Sequence, residues 1–374
     1  MNRVFVTASS LVCALGRTPA ESVSAIFDGD IKKSKKQCDP RDTNIQKPYF
    51  AIDLPKPPRE RFYEIIFSTV GALIESAPIE PDELADITLF LGSTSINLPI
   101  YEDNFVEGIP LFERLGYDVV ARAIAEKFNI KADRYTINTA CTSSINALMS
   151  AASMIKQGKI KKAVVVGLEV HNNLTVCGFE TLQLLSRDSC RPFDADRDGI
   201  VLGEICSAVL LSDTRVSDDD FEYLGGANIC DTSSVTGGDM SGEMAKICIQ
   251  KALDNAKSSK DEIVCIKAHA TGSVTNDIAE GRGIKAIFGD NYPVVCAFKP
   301  YIGHTLGGCG VGELALLMEC AKRSTLPKTV GFENIDEEIG IAPITSDTPI
   351  KKGKFLLNHF GFGGNSTVVV VSNI

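Results

Sequence analysis

Strand-like runs alternate with helix-spaced stretches along nearly the whole chain, which restricts it to a layered α/β fold. The strongest strand signal is Ala163-Val-Val-Val-Gly167, a continuous apolar run of the kind buried on both faces. Residues 4–7, 86–92, 134–137, 204–211, 263–269, 294–297, 355–357 and 367–371 read as further strands. Helical spacing marks residues 20–27, 61–76, 118–128, 243–256, 276–288 and 310–322. Residues 30–58, rich in Lys, Asp and Pro, read as surface loop, and residues 97–116 as irregular. Residues 212–220 read as a connector, so the expected division is into halves of residues 1–214 and 215–374.

Composition removes several function classes. A net charge of −10 argues against a general nucleic-acid binder, because neutralising phosphates needs a basic surface. Twelve cysteines could suggest a secreted disulfide framework. They are scattered, form no C-x-x-C and often sit in apolar runs, as Cys206, Cys248, Cys265 and Cys320 do. A chain of 374 residues needs no such staples, so reduced thiols and a cytoplasmic location are expected. Of the four histidines none pairs with a cysteine at zinc spacing, so no metal site is expected. The DADRDG segment lacks the glutamate that a calcium loop carries at its twelfth position. No targeting segment is read at the start, and no run reaches the roughly 18 apolar residues of a membrane span.

The chemistry concentrates in four turns at strand ends, where sites gather in layered α/β folds. They are TACTSS around Cys141, HATGSVTND from His269, KPYIGHTLGGCG from Lys299 and NHFGFGGN from Asn358. At the first, the strand of residues 134–137 turns through small residues into a helix whose apolar positions include Ala147, Leu148, Ala151 and Ile155. Cys141 is thus expected at the positive end of a helix, a setting that favours thiolate. A cysteine there could equally be a small buried hydrophobe, and a lone histidine at a strand end a satisfied core residue. Together the turns supply a thiol, two imidazoles, a lysine and backbone donors, the equipment for thioester chemistry.

The ordered set of cysteine turn, RPFDADRDG, H-x-T-G-S, K-x-x-x-G-H-T and N-x-F-G-F-G-G, running from Val4 to Val371, resembles the β-ketoacyl-acyl carrier protein synthases of the elongating type I/II class. The resemblance implies a thiolase-like fold, with two related α/β halves in a five-layered α-β-α-β-α arrangement. It implies a decarboxylative condensation between an acyl chain on a cysteine and a malonyl thioester. Cys141 would be the acylated nucleophile. The N–H groups of Cys141 and Phe360 would form the oxyanion hole, and Phe360 would also be the gate between acyl and malonyl sites. His269 and His304 would hydrogen-bond the malonyl thioester oxygen. Lys299 would sit behind them, ordered by Glu313, with Asp277, Glu280 and Asn358 in support. Thr271 and Ser273 would offer hydroxyls near the malonyl carboxylate.

The resemblance implies no metal or nucleotide cofactor, since substrates ride on the phosphopantetheine of a carrier protein. It implies an acyl carrier protein as partner and a dimer, either homodimer or heterodimer with a related ketosynthase or chain-length-factor subunit. Lys156, Lys159, Lys161 and Lys162 are candidates for docking an acidic carrier. The chain departs from the family pattern at Ala270, usually Gly, at Ser273, usually Thr, and at His359, usually Ser. It is shorter around residues 97–116 and 231–242, which resemble a pocket-closing segment and a mobile active-site loop. A thiolase would need a second cysteine late in the chain, where NHFGFGG stands. A silent chain-length factor would lack the cysteine that Cys141 supplies.

Overall fold

The computed structural model describes residues 2–39, 42–80, 82–108, 116–232 and 239–374. The first half opens with β1 (Phe5–Cys13) and α1 (Pro19–Asp28), followed by β2 (Ser34–Asp39) and β3 (Asp42–Phe50). Then come α2 (Pro58–Ser76), β4 (Thr88–Gly92), α3 (Leu98–Val106), α4 (Val119–Phe128) and β5 (Arg134–Ile137). The half closes with α5 (Ser143–Lys156), β6 (Lys162–Glu169), α6 (Asn173–Thr181), β7 (Leu202–Gly203) and β8 (Ile205–Ser212). The second half holds β9 (Phe221–Cys230), α7 (Glu243–Asn255), β10 (Ile263–Lys267), α8 (Val274–Phe288) and β11 (Val294–Cys296). It continues through α9 (Lys299–Ile302), α10 (Cys309–Lys322), β12 (Thr325–Leu326), β13 (Thr348–Pro349), β14 (Lys354–Phe360) and β15 (Asn365–Ser372).

Ten strands hydrogen-bond in the order β11-β10-β14-β15-β9-β1-β8-β6-β4-β5. The join between β1 and β9 spans only the pairs Phe5↔Glu222 and Val6↔Phe221, so the sheet reads as two five-stranded sheets meeting at one end. Their connectivity is the same. In each, the first strand pairs antiparallel with the last, the last antiparallel with the fourth, then the second and third follow in parallel. Five layers result. Helices α2 and α4 cover the outer face of the first sheet, α5 and α10 pack against each other between the sheets, and α7 with α8 covers the second. This is the arrangement the resemblance implies.

The apolar strand runs follow from this layering, because both faces of each sheet are covered. In β6, Ala163 and Val165 join the central core while Val164 and Val166 face the outer one. In β15, Val369 and Val371 face the centre while Val368 and Val370 face α7 and α8. Helix α5 lies between two sheets, so its buried face is built of small residues such as Ser143, Ser144, Ala147, Ala151 and Ala152. Gly92 closes the approach, since a Cβ there would lie 2.3 Å from the Ser144 Cα. Leu148 is wholly buried on the same helix, and truncating it to Ala is expected to cost about 3–5 kcal/mol.

Three readings of the sequence need correction. Residues 30–58 are not loop: β2 and β3 form an antiparallel pair extended by β7 in a small separate sheet. Its Lys- and Asp-rich composition masks a strand pair that lies largely at the surface. Residues 97–116 contain the regular helix α3, while residues 109–115 lie outside the described residues. Strand β9 was not anticipated, because its central Gly225-Gly226 resembles a turn. Those glycines instead let α7 and β15 approach, as a Cβ on Gly225 would lie 2.6 Å from Ala256 N. Of the expected mobile loop at 231–242, residues 233–238 lie outside the described residues.

Candidate active site

Cys141 stands two residues ahead of α5, on a turn braced by its own side chains. Ser143 Oγ donates to the Ala140 carbonyl at 2.6 Å and accepts from Thr139 N–H at 3.0 Å. Thr142 Oγ1 donates to Asn365 Oδ1 at 2.6 Å, tying the turn to β15. Ala140 takes a left-handed φ of +52°, which costs a non-glycine residue about 1–2 kcal/mol. That strain aims the following side chain into the centre, and the Cys141 sulfur lies 3.1 Å from His304 Nε2.

The thiolate expected from the helix end does not follow. Cys141 is only 4% exposed, and burial pushes its pKa up to about 12. The Phe362 N–H, the Lys299 cation and the Cys141 N–H oppose the shift without cancelling it. The helix-end argument is local, whereas burial depends on everything packed above the turn.

From two other turns, His304 meets that sulfur and His269 joins the same cavity beside it. Their rings meet edge to face, with centroids 5.2 Å apart. His269 follows β10, and the Glu280 carboxylate fixes its turn by accepting from the N–H of His269 at 2.7 Å and of Ala270 at 2.8 Å. Asn358 Nδ2 holds the same carboxylate at 3.0 Å. Asp277 does the equivalent for Thr271 and Gly272 and also accepts from Phe193 N–H at 2.9 Å. Ala270 takes φ +49°, so the turn keeps a left-handed shape despite the replacement of glycine. His304 is set by its backbone, with its N–H on the Val201 carbonyl at 2.6 Å and its carbonyl accepting from Gly203 N–H at 3.2 Å. Burial, joined by the Lys299 cation, holds both imidazoles well below their ordinary pKa. Both are therefore neutral. His269 Nδ1 and His304 Nδ1 find no hydrogen-bond partner among the described residues, so no neighbour fixes either tautomer from that side.

Behind the histidines lies a buried charge cluster. Lys299 Nζ contacts Glu313 Oε1 at 2.6 Å, the pairing expected from the sequence. The other oxygen of Glu313 meets Lys267, which the sequence reading missed. Lys267 also donates to the Asn358 carbonyl at 2.9 Å and lies 3.2 Å from His359 Nε2. Burial draws Lys267 below its ordinary pKa, while the touching carboxylate favours its charged form. The signal for Lys267 was a lone ionisable residue ending a buried apolar strand, in the Cys265-Ile266-Lys267 run of β10. His269, Cys309 and His359 bring ligand-type atoms within 4.8 Å of one another. Two lysines stand against this group, however, and oppose a cation there.

A cavity of about 50 Å³ opens over the centre, lined by Cys141, His269, His304, Phe360, Phe362 and the turn after His269. Thr271 and Ser273 both reach it, with Thr271 Oγ1 donating to Ser273 Oγ at 3.1 Å. The glycine-rich turn differs from expectation. Phe360 is still in β14, in register with Ser366, and its ring lies edge-on to His269 at 5.9 Å. The N–H aimed at the Cys141 sulfur belongs to Phe362, beyond the strand, whose ring stacks on Phe179 at 5.3 Å. Of the proposed docking lysines, Lys162 pairs with Glu83 at 2.6 Å and Lys156 donates to the Leu224 carbonyl at 2.6 Å. The group lies at the far end of α5, about 20 Å from Cys141 for a helix of 14 residues.

Residues 17–216 match the β-ketoacyl synthase N-terminal domain, and residues 222–333 the C-terminal domain. The chain is 30% identical over 264 residues to 3-oxoacyl-[acyl-carrier-protein] synthase 2 of Mycobacterium tuberculosis, an alignment covering 67% of this chain and 63% of that protein. The chain thus spans just under two thirds of the length of that relative. A Xenorhabdus doucetiae ketosynthase, solved in complex with its chain length factor, superposes with a TM-score of 0.84 at 25% identity, covering 99% of this chain and 98% of the other. A β-ketoacyl synthase from Burkholderia phymatum shares the fold, with a TM-score of 0.84 at 24% identity and 100% of both chains covered. With both domain profiles matched in order over most of its length, the chain belongs to the β-ketoacyl synthase family.

Proposed function

We propose that the chain is a 3-oxoacyl-carrier protein synthase, joining an acyl group held on Cys141 to a malonyl unit with loss of CO2. The contact between Cys141 Sγ and His304 Nε2 at 3.1 Å, with the His269 ring alongside, carries this reading. The buried thiol gives its proton to His304 as sulfur attacks the thioester of an acyl carrier. The N–H groups of Cys141 and Phe362 hold the oxyanion. Collapse expels the carrier thiolate, which takes the proton back from His304.

In the second half-reaction the malonyl thioester oxygen accepts hydrogen bonds from His269 and His304, both neutral. The bond to the carboxylate breaks, CO2 departs and its electron pair enters the enolate. The enolate carbon attacks the Cys141 thioester. Sulfur leaves as thiolate and takes one proton from solvent, which its raised pKa favours. Thr271 and Ser273 line the cavity wall, and in this reading their hydroxyls meet the malonyl carboxylate. Lys299 and Glu313 act from behind, through charge rather than contact. Supplying acyl and malonyl carriers is expected to yield a 3-oxoacyl chain two carbons longer, read by mass spectrometry of the carrier. Recovery of both carriers unchanged would contradict the proposal.

A second protomer is part of this reading. An apolar groove of about 830 Å³ lies beside α3 and α6, and Phe105, Tyr117 and Leu174 on it are 75%, 68% and 66% exposed. Among the described residues, strand β5 ends the ten-stranded order beside it with one edge unpaired in the sheet. A related subunit covering this face would fit the Xenorhabdus doucetiae ketosynthase and its chain length factor. Loss of the silent-partner alternative rests on Cys141, His269 and His304 all being present and converging.

A further inference from the structure

The third histidine of the centre, His359, is held at both ring nitrogens, unlike His269 and His304. Lys267 Nζ has three partners: a Glu313 carboxylate oxygen, the Asn358 carbonyl at 2.9 Å and His359 Nε2 at 3.2 Å. An ammonium has three N–H donors and no acceptor. All three donors are used if His359 Nε2 accepts, which leaves the ring proton on Nδ1. Burial and the Lys267 cation keep this ring neutral, so it carries one N–H. That N–H faces Cys309 Sγ at 3.7 Å. The Cys309 thiol in turn donates to the carbonyl of Cys141 at 3.2 Å.

The path crosses the molecule. Lys267 ends β10 and His359 lies near the end of β14, neighbouring parallel strands of the second sheet. Cys309 is the first residue of α10 in the central layer. The Cys141 carbonyl precedes α5, ahead of the bond from Asn146 N–H to the Thr142 carbonyl. It therefore takes its donor from outside the helix, at the step just after the strained Ala140.

We propose that Lys267, His359 and Cys309 form a directed donor chain that holds the Cys141 turn in position against His269 and His304. They are positioning residues, since none of the three attacks or protonates substrate. The kinetic consequence rests on the proposed acyl transfer; the tautomer does not.

Only four histidines are present, so the protein labelled with ¹⁵N in its imidazoles gives a spectrum assignable with one variant, His359→Gln. Long-range ¹H–¹⁵N correlation reads which nitrogen carries the proton. In the wild type His359 is expected as the Nδ1–H form. Lys267→Met removes the donor to Nε2 and is expected to populate the Nε2–H form. A wild-type ring protonated on Nε2, or a Lys267→Met ring unchanged in tautomer, overturns the proposal. If Lys267→Met does not fold, the wild-type tautomer decides alone. The last link is read by acylation rate at Cys141. Cys309→Ser keeps a donor and is expected to stay within about twofold of wild type, while Cys309→Ala is expected to slow about 5- to 10-fold, the weight of one hydrogen bond. Equal rates for the two variants overturn that link. Absence of acylation in the wild type would count against the acyl-transfer reading, while the tautomer would still decide the chain.

Discussion

His304 Nε2 lies 3.1 Å from the sulfur of Cys141, a cysteine whose burial raises its pKa to about 12. The resting pair is thus neutral thiol and neutral imidazole, and the nucleophile forms as the proton moves. Alkylation of Cys141 by iodoacetamide is expected to be slow at neutral pH. Its rate should climb about tenfold per pH unit with no plateau, as the thiolate fraction grows. Peptide mapping of the modified protein across pH reads this directly. A rate already level near neutral pH would show a stabilised thiolate and reverse the assignment.

The two histidines should separate by half-reaction. His304 touches the thiol, while His269 reaches the centre only beside it. His304→Ala is expected to slow acylation of Cys141 by about 10²-fold, the scale of a lost general base. His269→Ala should leave acylation nearly intact yet reduce CO2 release from malonyl carrier by about 10²–10³-fold, the scale of one lost donor to developing charge. Single-turnover assays of each step check this. Equal losses in both steps for both variants would contradict the division of labour.

Gly361 offers a test of the oxyanion position that spares the titratable groups. A Cβ there would lie 3.1 Å from Cys141 N, where the oxyanion would accept its hydrogen bond. The backbone φ of −129° suits any residue, so folding should survive. Gly361→Ala is expected to lose about 10²-fold or more in turnover, with a melting temperature close to that of wild type. Turnover within a few-fold of wild type would place the oxyanion elsewhere.

Glu280 gives a pH signature in stability. It is fully buried, and burial lifts its pKa from 4.5 to about 7, although backbone N–H groups and Asn358 oppose the rise. The folded state therefore holds this proton more tightly than the unfolded chain. Its contribution is complete below the unfolded value and is lost as pH rises through the folded one. The span corresponds to roughly 3 kcal/mol. Denaturant unfolding from pH 4.5 to pH 7 should show stability falling in the wild type relative to Glu280→Gln. A difference between the two proteins that does not change with pH would contradict the shift.

What the sequence made legible was what neighbours in the chain determine. The turn into α5 could be read because small residues flank Cys141 and an apolar helical stripe follows. The partnership of Lys299 with Glu313 followed from the resemblance to the family, not from the chain around either residue. Lys267 escaped because its meaning depends on Glu313 and His359, 46 and 92 residues away. Phe360 and Phe362 sit two apart in one glycine-rich motif, and only the end of β14 tells which N–H is free to face the sulfur. The Cys141 pKa was misjudged for the same reason, since burial is a property of the whole fold. The pair β2–β3 was hidden because edge strands carry charged residues, much as loops do.

The central claim is that Cys141 carries the acyl group. Intact mass spectrometry after mixing the protein with an acyl-carrier thioester, for wild type and Cys141→Ala, tests it most directly. The account requires a single acyl adduct on the wild type, none on Cys141→Ala, and discharge of the adduct when malonyl carrier is added. An adduct that persists in Cys141→Ala, or that malonyl carrier does not discharge, would contradict it.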